Sequence, residues 1–109
     1  MPTTYKVLGQ SNPSATTATT LYTVPSATQA IVSTITVCNQ AATAGTYRIA
    51  VRVAGAALAA SQYLAYDVSL PGNASDTLTL GVTLGATDVI TVYASSATVS
   101  FNAYGSELS

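Results

Sequence analysis

The chain has 109 residues, which fits a single domain, and Lys, Arg, Asp and Glu make up only 6% of it, against a usual level of about 25%. Three basic residues and a formal net charge of -1 exclude the positive surface that nucleic-acid binding requires, and the lack of histidine excludes Ser-His-Asp and Cys-His catalytic sets. Because surface charge keeps proteins dispersed, this composition predicts a chain that works packed against copies of itself or other proteins.

The N-terminal residues predict an extended arm at residues 1–20. Residues 11–20, SNPSATTATT, have no apolar anchor, so we expect them not to order on a single copy. Tyr5, Val7 and Leu8 precede this segment like a short strand, which favours an arm that adds to the sheet edge of a neighbour. A disordered tail without a role is the alternative. The arm also lacks the continuous apolar stretch of a signal peptide, so we expect no secretion by that route.

The segment after the arm predicts a half-buried strand at residues 31–38, since polar and apolar residues alternate there. Ile31, Ile35 and Val37 fall on one face of this strand, with Ser33 as the polar exception. Cys38 is the only cysteine of the chain. We expect it to be a half-buried thiol, with an intersubunit disulfide as the alternative.

The segment GTYRIAVRVAG shows the clearest alternation in the chain. One face carries Tyr47, Ile49, Val51 and Val53. Arg48 and Arg52 share the other face, about 13 Å apart at the rise of a strand. They are either solubilising charges or partners of carboxylates, those of Asp67 or of another subunit.

The second half of the chain predicts one short connection and four strands. Residues 54–61 read as the connection, with at most one turn of helix. The strand QYLAYDVSL places Tyr66 on its apolar face, so Tyr66, like Tyr47, is predicted to lie in the core. DTLTLGVTL alternates cleanly, with Gly81 marking a bulge or bend. DVITVYA reads as covered on both faces, and TVSFNAYG alternates again.

Together these segments predict an all-β fold, an antiparallel β-sandwich or jelly roll of seven or eight strands. The strands recur roughly every ten to fourteen residues, with small polar or Gly/Pro turns between them. The sandwich domain is predicted to span residues 21–109, after the arm. No apolar run approaches the roughly 18 residues that a membrane helix needs, so we expect no membrane contact.

The chemistry-bearing residues predict no enzyme. Asp67 and Asp76 could form an acid–base pair if their strands adjoin, whereas Asp76 and Asp88 are adequately explained as turn residues. A calcium site would need several carboxylates close together, and the carboxylates are scattered. We expect no catalytic residue, no metal ligand and no cofactor.

Outward-facing aromatic and basic residues are the candidates for an interface. Tyr63, Tyr93 and Tyr104 fall on polar faces and suit subunit contacts or stacking on a sugar. The full set of interface candidates is Tyr5, Val7, Leu8, Arg48, Arg52, Tyr63, Tyr93 and Tyr104.

Three long phrases carry a resemblance to a known family. LYTVPSATQAIVSTITVCNQ, TYRIAVRVAGAALAASQYLAYD and TLGVTLGATDVITVYASSATVSFNAYGSE resemble small β-sandwich virion proteins of tailed bacteriophages, including phages of cyanobacteria. The likeness covers residues 20–107 and lies in the running pattern of the sequence. It implies a non-enzymatic structural subunit of the virion, assembled in the host cytoplasm as a homo-oligomer that contacts major capsid or tail proteins.

Two positions on a virion follow from this resemblance, and two other classes of function stay open. A capsid decoration or cement protein is favoured, because 109 residues are few for a fibre; a fibre, collar or baseplate subunit is the alternative. A carbohydrate-binding module would use exposed tyrosines on a host surface glycan, and a fibril-forming surface protein would join edge strands end to end.

Overall fold

The computed structural model describes residues 2–109, which form eight β-strands and two short 3₁₀ turns. The turns, Val53–Gly55 and Ala60–Gln62, lie at the two ends of the connection predicted at residues 54–61; the connection is confirmed, but it has two turns where at most one was expected. No helix in this part of the chain has the length and the apolar sequence that crossing a membrane requires. The strands are β1 (Thr3–Ser11), β2 (Thr19–Thr23), β3 (Gln29–Asn39), β4 (Gly45–Arg52), β5 (Tyr63–Leu70), β6 (Ser75–Leu84), β7 (Val89–Ala94) and β8 (Val99–Leu108).

The strands pair into two antiparallel sheets of four that pack as a sandwich. Sheet A has the order β1-β8-β3-β6, and sheet B has the order β2-β7-β4-β5. The chain changes sheets at each connection except the one from β4 to β5, so sequence neighbours mostly face each other across the core. This order is that of an eight-stranded jelly roll. The predicted all-β antiparallel sandwich is therefore confirmed.

The core lies between the sheets and is built from the alternating apolar residues of both. Tyr47 of sheet B meets Phe101 of sheet A edge to face, with ring centroids 6.1 Å apart, and both side chains are fully buried. β7 is covered on both faces, as predicted: its inward residues lie in the core, and on the outer face Arg48 lies over the Tyr93 ring and Arg52 donates a hydrogen bond to Thr91. The inward positions of β6 and β8 also follow the predicted alternation.

A bulge in β3 reverses the expected direction of Ile31. The register of β3 against β8 shifts between Val32 and Thr34, so Ser33 is an extra residue in the strand. Val32 and Ile35 both point inward, whereas Ile31 lies on the outer face with 48% of its surface exposed. Placing Ile31 with Ile35 and Val37 was therefore wrong, because an inserted residue inverts the period-two pattern on one side of it.

β5 contains two such irregularities and corrects the prediction for Tyr66. Its register against β4 shifts on both sides of the pair Ile49 and Ala65. Leu64 and Tyr66 consequently face solvent, with 49% and 57% exposed, and Tyr66 is not a core residue. Val53 is also exposed, since β4 ends before it at the first 3₁₀ turn.

The N-terminal residues form part of the sandwich instead of a free arm. Thr3–Ser11 is strand β1, which pairs with β8 of the same chain from Thr3 opposite Leu108 to Ser11 opposite Phe101. The following loop is also held: the Asn12 amide donates hydrogen bonds to the carbonyl oxygens of Ala97 and Val99, at 2.9 and 2.8 Å. The strand expected near Tyr5 exists, but the edge it uses belongs to its own chain. Pro13 is buried, and the Thr16 amide donates a hydrogen bond to the Ala94 carbonyl oxygen at 2.8 Å, so residues 11–20 are anchored to their own chain.

Candidate interface on the outer faces of the sheets

Arg48 lies between two tyrosine rings on the outer face of sheet B. Its guanidinium carbon is 4.1 Å from the ring centroid of Tyr66 and 4.2 Å from that of Tyr93. The guanidinium also donates two hydrogen bonds to Asp67, from Nε at 2.6 Å and from Nη2 at 3.2 Å. These hydrogen bonds hold the pKa of Asp67 below its usual range. The side chains of Arg48, Asp67, Tyr66 and Tyr93 are thus held in fixed positions relative to one another. Together with Tyr63, we call them the aromatic cluster.

The bulge in β5 creates this cluster. Asp67 has φ 50°, in the left-handed region that Asp tolerates better than most residues. In a regular strand, Tyr66 and Asp67 would point to opposite faces, and only one of them could reach Arg48. Because the extra residue turns the backbone, Tyr66 stacks on the guanidinium and Asp67 binds it from the same side of the sheet.

An open hollow adjoins the aromatic cluster. Tyr63 packs edge to face on Tyr66, with ring centroids 4.8 Å apart. Beside these rings, the connection from β4 to β5 contributes Leu58, which is 41% exposed. The hollow has a volume of about 440 Å³ and is lined by Leu58, Ala59, Ala60, Tyr63 and Tyr66. The residues that line it are mostly apolar, so the hollow suits an apolar side chain or a flat ring of a partner.

A second exposed apolar surface lies on sheet A, and we call it the β1 patch: Tyr5, Val7, Ile31 and Tyr104. The strand pairing places these residues in two rows across β1, β8 and β3, because Tyr5 and Ile31 both flank Ser106, and Val7 pairs with Tyr104. Tyr5 is 84% exposed, the highest value among the large hydrophobic side chains. The aromatic cluster on sheet B and the β1 patch on sheet A therefore lie on opposite outer faces of the sandwich.

Gly105 keeps the strands close beneath the β1 patch. A Cβ atom at this position would lie 1.9 Å from the carbonyl oxygen of Ile31, which is far shorter than any non-bonded contact. The bulge at Ser33 brings the Ile31 backbone against β8 here. The glycine therefore allows the bulge that turns Ile31 outward.

Arg52 is engaged by its own chain. It donates hydrogen bonds from Nε to the Ala56 carbonyl oxygen at 2.7 Å and from Nη2 to the Gly55 carbonyl oxygen at 2.9 Å. It thus fixes the turn after β4, and within its own chain its closest partners are backbone carbonyl oxygens and not a carboxylate. Arg48 does pair with Asp67, one of the two roles predicted for it.

Each of the seven charged side chains has a partner within the chain. Besides the two arginines, Lys6 pairs with Glu107 at 2.9 Å, and Glu107 also accepts a hydrogen bond from the Tyr22 hydroxyl. Asp76 accepts a hydrogen bond from Tyr47 at 2.9 Å. Asp88 accepts hydrogen bonds from the amides of Gly85 and Ala54, both at 2.8 Å, which confirms its turn role. The charges that lie beside the exposed apolar surfaces, Lys6 at the β1 patch and Arg48 in the aromatic cluster, are therefore each neutralised by a carboxylate of the same chain.

The paired carboxylates do not form the acid–base site considered from the sequence. Asp67 lies on β5 of sheet B and Asp76 on β6 of sheet A, so their strands do not adjoin, and each carboxylate is held by a different residue. Within residues 2–109, no three thiol or carboxylate side chains come together as metal ligands would. Cys38 is half-buried, as expected.

The structure brings some of the predicted interface residues together and separates others. Arg48, Tyr63 and Tyr93 meet in the aromatic cluster, whereas Tyr5, Val7 and Tyr104 meet in the β1 patch. Leu8 packs partly against the core. Sequence reasoning missed five exposed hydrophobic residues, among them Val53, and no signal within the alternation marks the bulges that expose three of them. The missed residues are Ile31, Val53, Leu58, Leu64 and Tyr66.

The fold has a counterpart among solved structures. No protein-family model and no curated protein matches this chain. A chain in the structure of infectious bursal disease virus, Gx strain, superposes with a TM-score of 0.53 over 97% of this chain, at 10% sequence identity. This chain spans 31% of the length of that chain. At such low identity the likeness shows the fold alone: an arrangement of strands like this one also occurs within a longer protein of a virus.

Proposed function

We propose that this protein is a non-enzymatic structural subunit of a bacteriophage virion, and most specifically a capsid decoration protein that strengthens the particle through contacts with its own copies and with the capsid. The observation that carries the proposal is the outer surface. It combines two exposed apolar surfaces with charged side chains that all have hydrogen-bond partners within the chain, four of them in two ion pairs. Such a surface is suited to burial against other proteins, because little charge has to be desolvated.

The fold and the aromatic cluster add support. A jelly roll presents two broad sheet faces, and viral capsid proteins commonly use this architecture. Tyrosine and arginine are the residues that most often dominate binding energy at interfaces. In the aromatic cluster, these residues are held in place before any partner arrives, which reduces the entropy lost on binding.

Attachment to particles tests the proposal. The purified protein is mixed with phage particles that lack it, and the particles are then sedimented. We expect the wild-type chain to sediment with the particles and to raise the temperature at which they break open. Tyr66→Ala is expected to weaken attachment by about tenfold or more, as an interface tyrosine does. Ser69→Ala, an exposed change on the same strand, serves as the control.

Two results would count against this function. One is a wild-type chain that stays in the supernatant at every concentration. The other is electron microscopy of native virions that finds the chain nowhere on the particle. Density for the chain on the tail instead of the capsid would select the tail-associated form of the same structural role.

The tail-associated role has one observation in its favour, the hollow beside Tyr63 and Tyr66. An exposed aromatic ring beside an open depression can stack on a sugar ring, as a receptor-binding subunit would do with a host surface glycan. Glycan-array binding that disappears in Tyr66→Ala and Tyr93→Ala would favour this role. Arg48 covers one face of both the Tyr66 and the Tyr93 rings, but Tyr63 and Tyr66 line the hollow and Tyr93 does not, so Tyr63 and Tyr66 offer the better platform.

A further inference from the structure

The free edge of sheet A is formed by β1, whose other side is paired with β8. An edge strand exposes unpaired backbone N–H and C=O groups, and proteins usually protect such edges by short strands, bulges, proline or unpaired charge. β1 has nine residues, and its one charged side chain, Lys6, is already bound to Glu107. Its pairing with β8 is regular from Thr3 to Val7, before the register shift at Leu8.

The other three edges are less open. β2 has five residues with a register shift inside it, and β5 contains two irregularities and the Arg48–Asp67 pair. β6 is long, but its outward residues are small and polar over Ser75–Thr79, and a register irregularity lies beyond this run. Only the β1 edge combines a regular run with exposed apolar side chains, those of Tyr5 and Val7.

We propose that the occupant of this edge is the β1 strand of a second copy, paired antiparallel with Tyr5 on the two-fold axis. This inference rests on the proposed structural role and names one contact between copies. Centring on Tyr5 follows from the regular run, because Thr3 to Val7 is symmetric about residue 5. Thr3 then lies opposite Val7 of the second copy, and Thr4 lies opposite Lys6.

Charge and packing both favour a second copy in this register. Lys6 faces Thr4 of the other copy, so no like charges meet, whereas a register centred on residue 6 would place the two lysines opposite each other. Two Tyr5 side chains become a cross-strand aromatic pair, one of the favourable pairings in antiparallel sheets. Sheet A then continues through both copies as eight strands, and the two β1 patches merge into one surface. A two-fold contact of this kind uses the same patch on both partners.

Disulfide trapping tests both the contact and its register. Cys38 is first replaced by serine, and single cysteines are then introduced at exposed positions. Opposite residues in antiparallel strands have Cα atoms about 4.5–5.5 Å apart, within the range of a disulfide. We expect Tyr5→Cys to give a covalent dimer under mild oxidation. Val7→Cys alone should stay monomeric, because the two copies of residue 7 would lie about 13 Å apart. Mixing Thr3→Cys with Val7→Cys should give a heterodimer.

The matched control is Thr77→Cys, at the centre of the regular run of β6, the other long edge of sheet A. A dimer from Thr77→Cys with none from Tyr5→Cys would overturn the choice of edge. A dimer from mixed Tyr5→Cys and Val7→Cys, with none from Tyr5→Cys alone, would overturn the register. Monomers throughout, in concentrated solution and on particles, would overturn the proposal.

A charge swap at Tyr5 tests the same contact without a disulfide. Tyr5→Glu and Tyr5→Lys each place like charges on the axis, so each variant alone should lose self-association in sedimentation, whereas their mixture should recover it. Tyr5 is 84% exposed, so both variants should keep the wild-type circular dichroism spectrum and thermal midpoint. If neither variant alters self-association, the contact lies elsewhere. The virion role is judged separately, since a chain that attaches to particles without a β1 contact fails only this inference.

Discussion

Asp67 binds the guanidinium of Arg48 through both carboxylate oxygens, and it does so from a backbone position with φ 50°. The same bulge turns Tyr66 onto the guanidinium. Local backbone irregularity and side-chain pairing therefore depend on each other: the bulge positions the carboxylate, and the ion pair favours the bulged conformation. The ion pair of Arg48 and Asp67 thus helps to set the shape of the outer face of sheet B.

Substitutions at Asp67 should separate two contributions to stability, that of the left-handed backbone conformation and that of the carboxylate charge. Asp67→Gly keeps the left-handed conformation accessible but removes the carboxylate, whereas Asp67→Ala loses both. We expect the thermal midpoint to fall in the order wild type, Asp67→Gly, Asp67→Ala. Added salt should narrow the gap between wild type and Asp67→Gly, because the ion pair is exposed and screened. An Asp67→Ala midpoint equal to that of Asp67→Gly would show that the backbone conformation costs nothing here.

The strands could be predicted from the sequence, but their phase after a bulge could not. Period-two alternation is a local property, so the segment around Tyr47 and the segment from Val99 onward are found directly from their residues. The outward turn of Ile31 depends on the approach of β8 at Gly105, about seventy residues away, which no local pattern contains. For the same reason, the alternation around Tyr66 predicts a core residue, although the bulge in β5 turns this side chain to solvent. The pairing of β1 with β8 of its own chain is also a long-range contact that no local pattern predicts.

Gly105 and Gly81 form a matched pair for testing the close approach under the β1 patch. A Cβ at Gly105 would collide with the Ile31 carbonyl oxygen, whereas a Cβ at Gly81 meets no atom within 4 Å. We expect Gly105→Ala to lower the free energy of unfolding by about 2 kcal/mol or more, as overpacking does. Gly81→Ala should be neutral or stabilising by up to about 1 kcal/mol. Denaturant unfolding of both variants measures the difference, and equal effects would contradict the close approach of β3 to β8.

Tyr22 and Tyr47 should make the protein sensitive to alkaline pH. Burial raises the pKa of both hydroxyls above the usual value, and hydrogen bonds to the carboxylates of Glu107 and Asp76 raise them further. A pKa that is raised in the folded state gives stability that is complete below the unfolded pKa of about 10 and is lost as pH rises above it. We expect unfolding to become easier above about pH 10.

Tyrosinate absorbance provides the measurement for this alkaline transition. Two of the seven tyrosines should ionise only when the chain unfolds. Tyr47→Phe should remove one of them and lower the free energy of unfolding at neutral pH by about 1.5–3 kcal/mol, the range for a hydrogen bond to a charged group. Seven tyrosines that titrate together in the folded protein would contradict the burial of these hydroxyls.

Glu107 should control how firmly β1 is held at acid pH. Hydrogen bonds from Tyr22 and then Lys6 lower the pKa of Glu107 in the folded protein. A lowered pKa gives stability that is present above the unfolded value of about 4.3 and is lost as pH falls through the folded value. Because Lys6 lies on β1 and Glu107 on β8, we expect hydrogen-exchange protection of β1 amides to fall below about pH 4. Protection of β3, which lies inside the same sheet, should change less.

Glu107→Gln is the variant that isolates this ion pair, since glutamine can still accept the hydrogen bond from Tyr22 but cannot neutralise Lys6. At pH 7 it should show the reduced β1 protection that the wild type shows only in acid, with little further change on acidification. Lys6→Met, which keeps the length of the side chain without its charge, should give the same pattern. If β1 protection in Glu107→Gln still falls steeply in acid, another group holds the strand. A freed β1 would also be a weaker template for a second copy, so self-association and β1 protection should decline over the same pH interval.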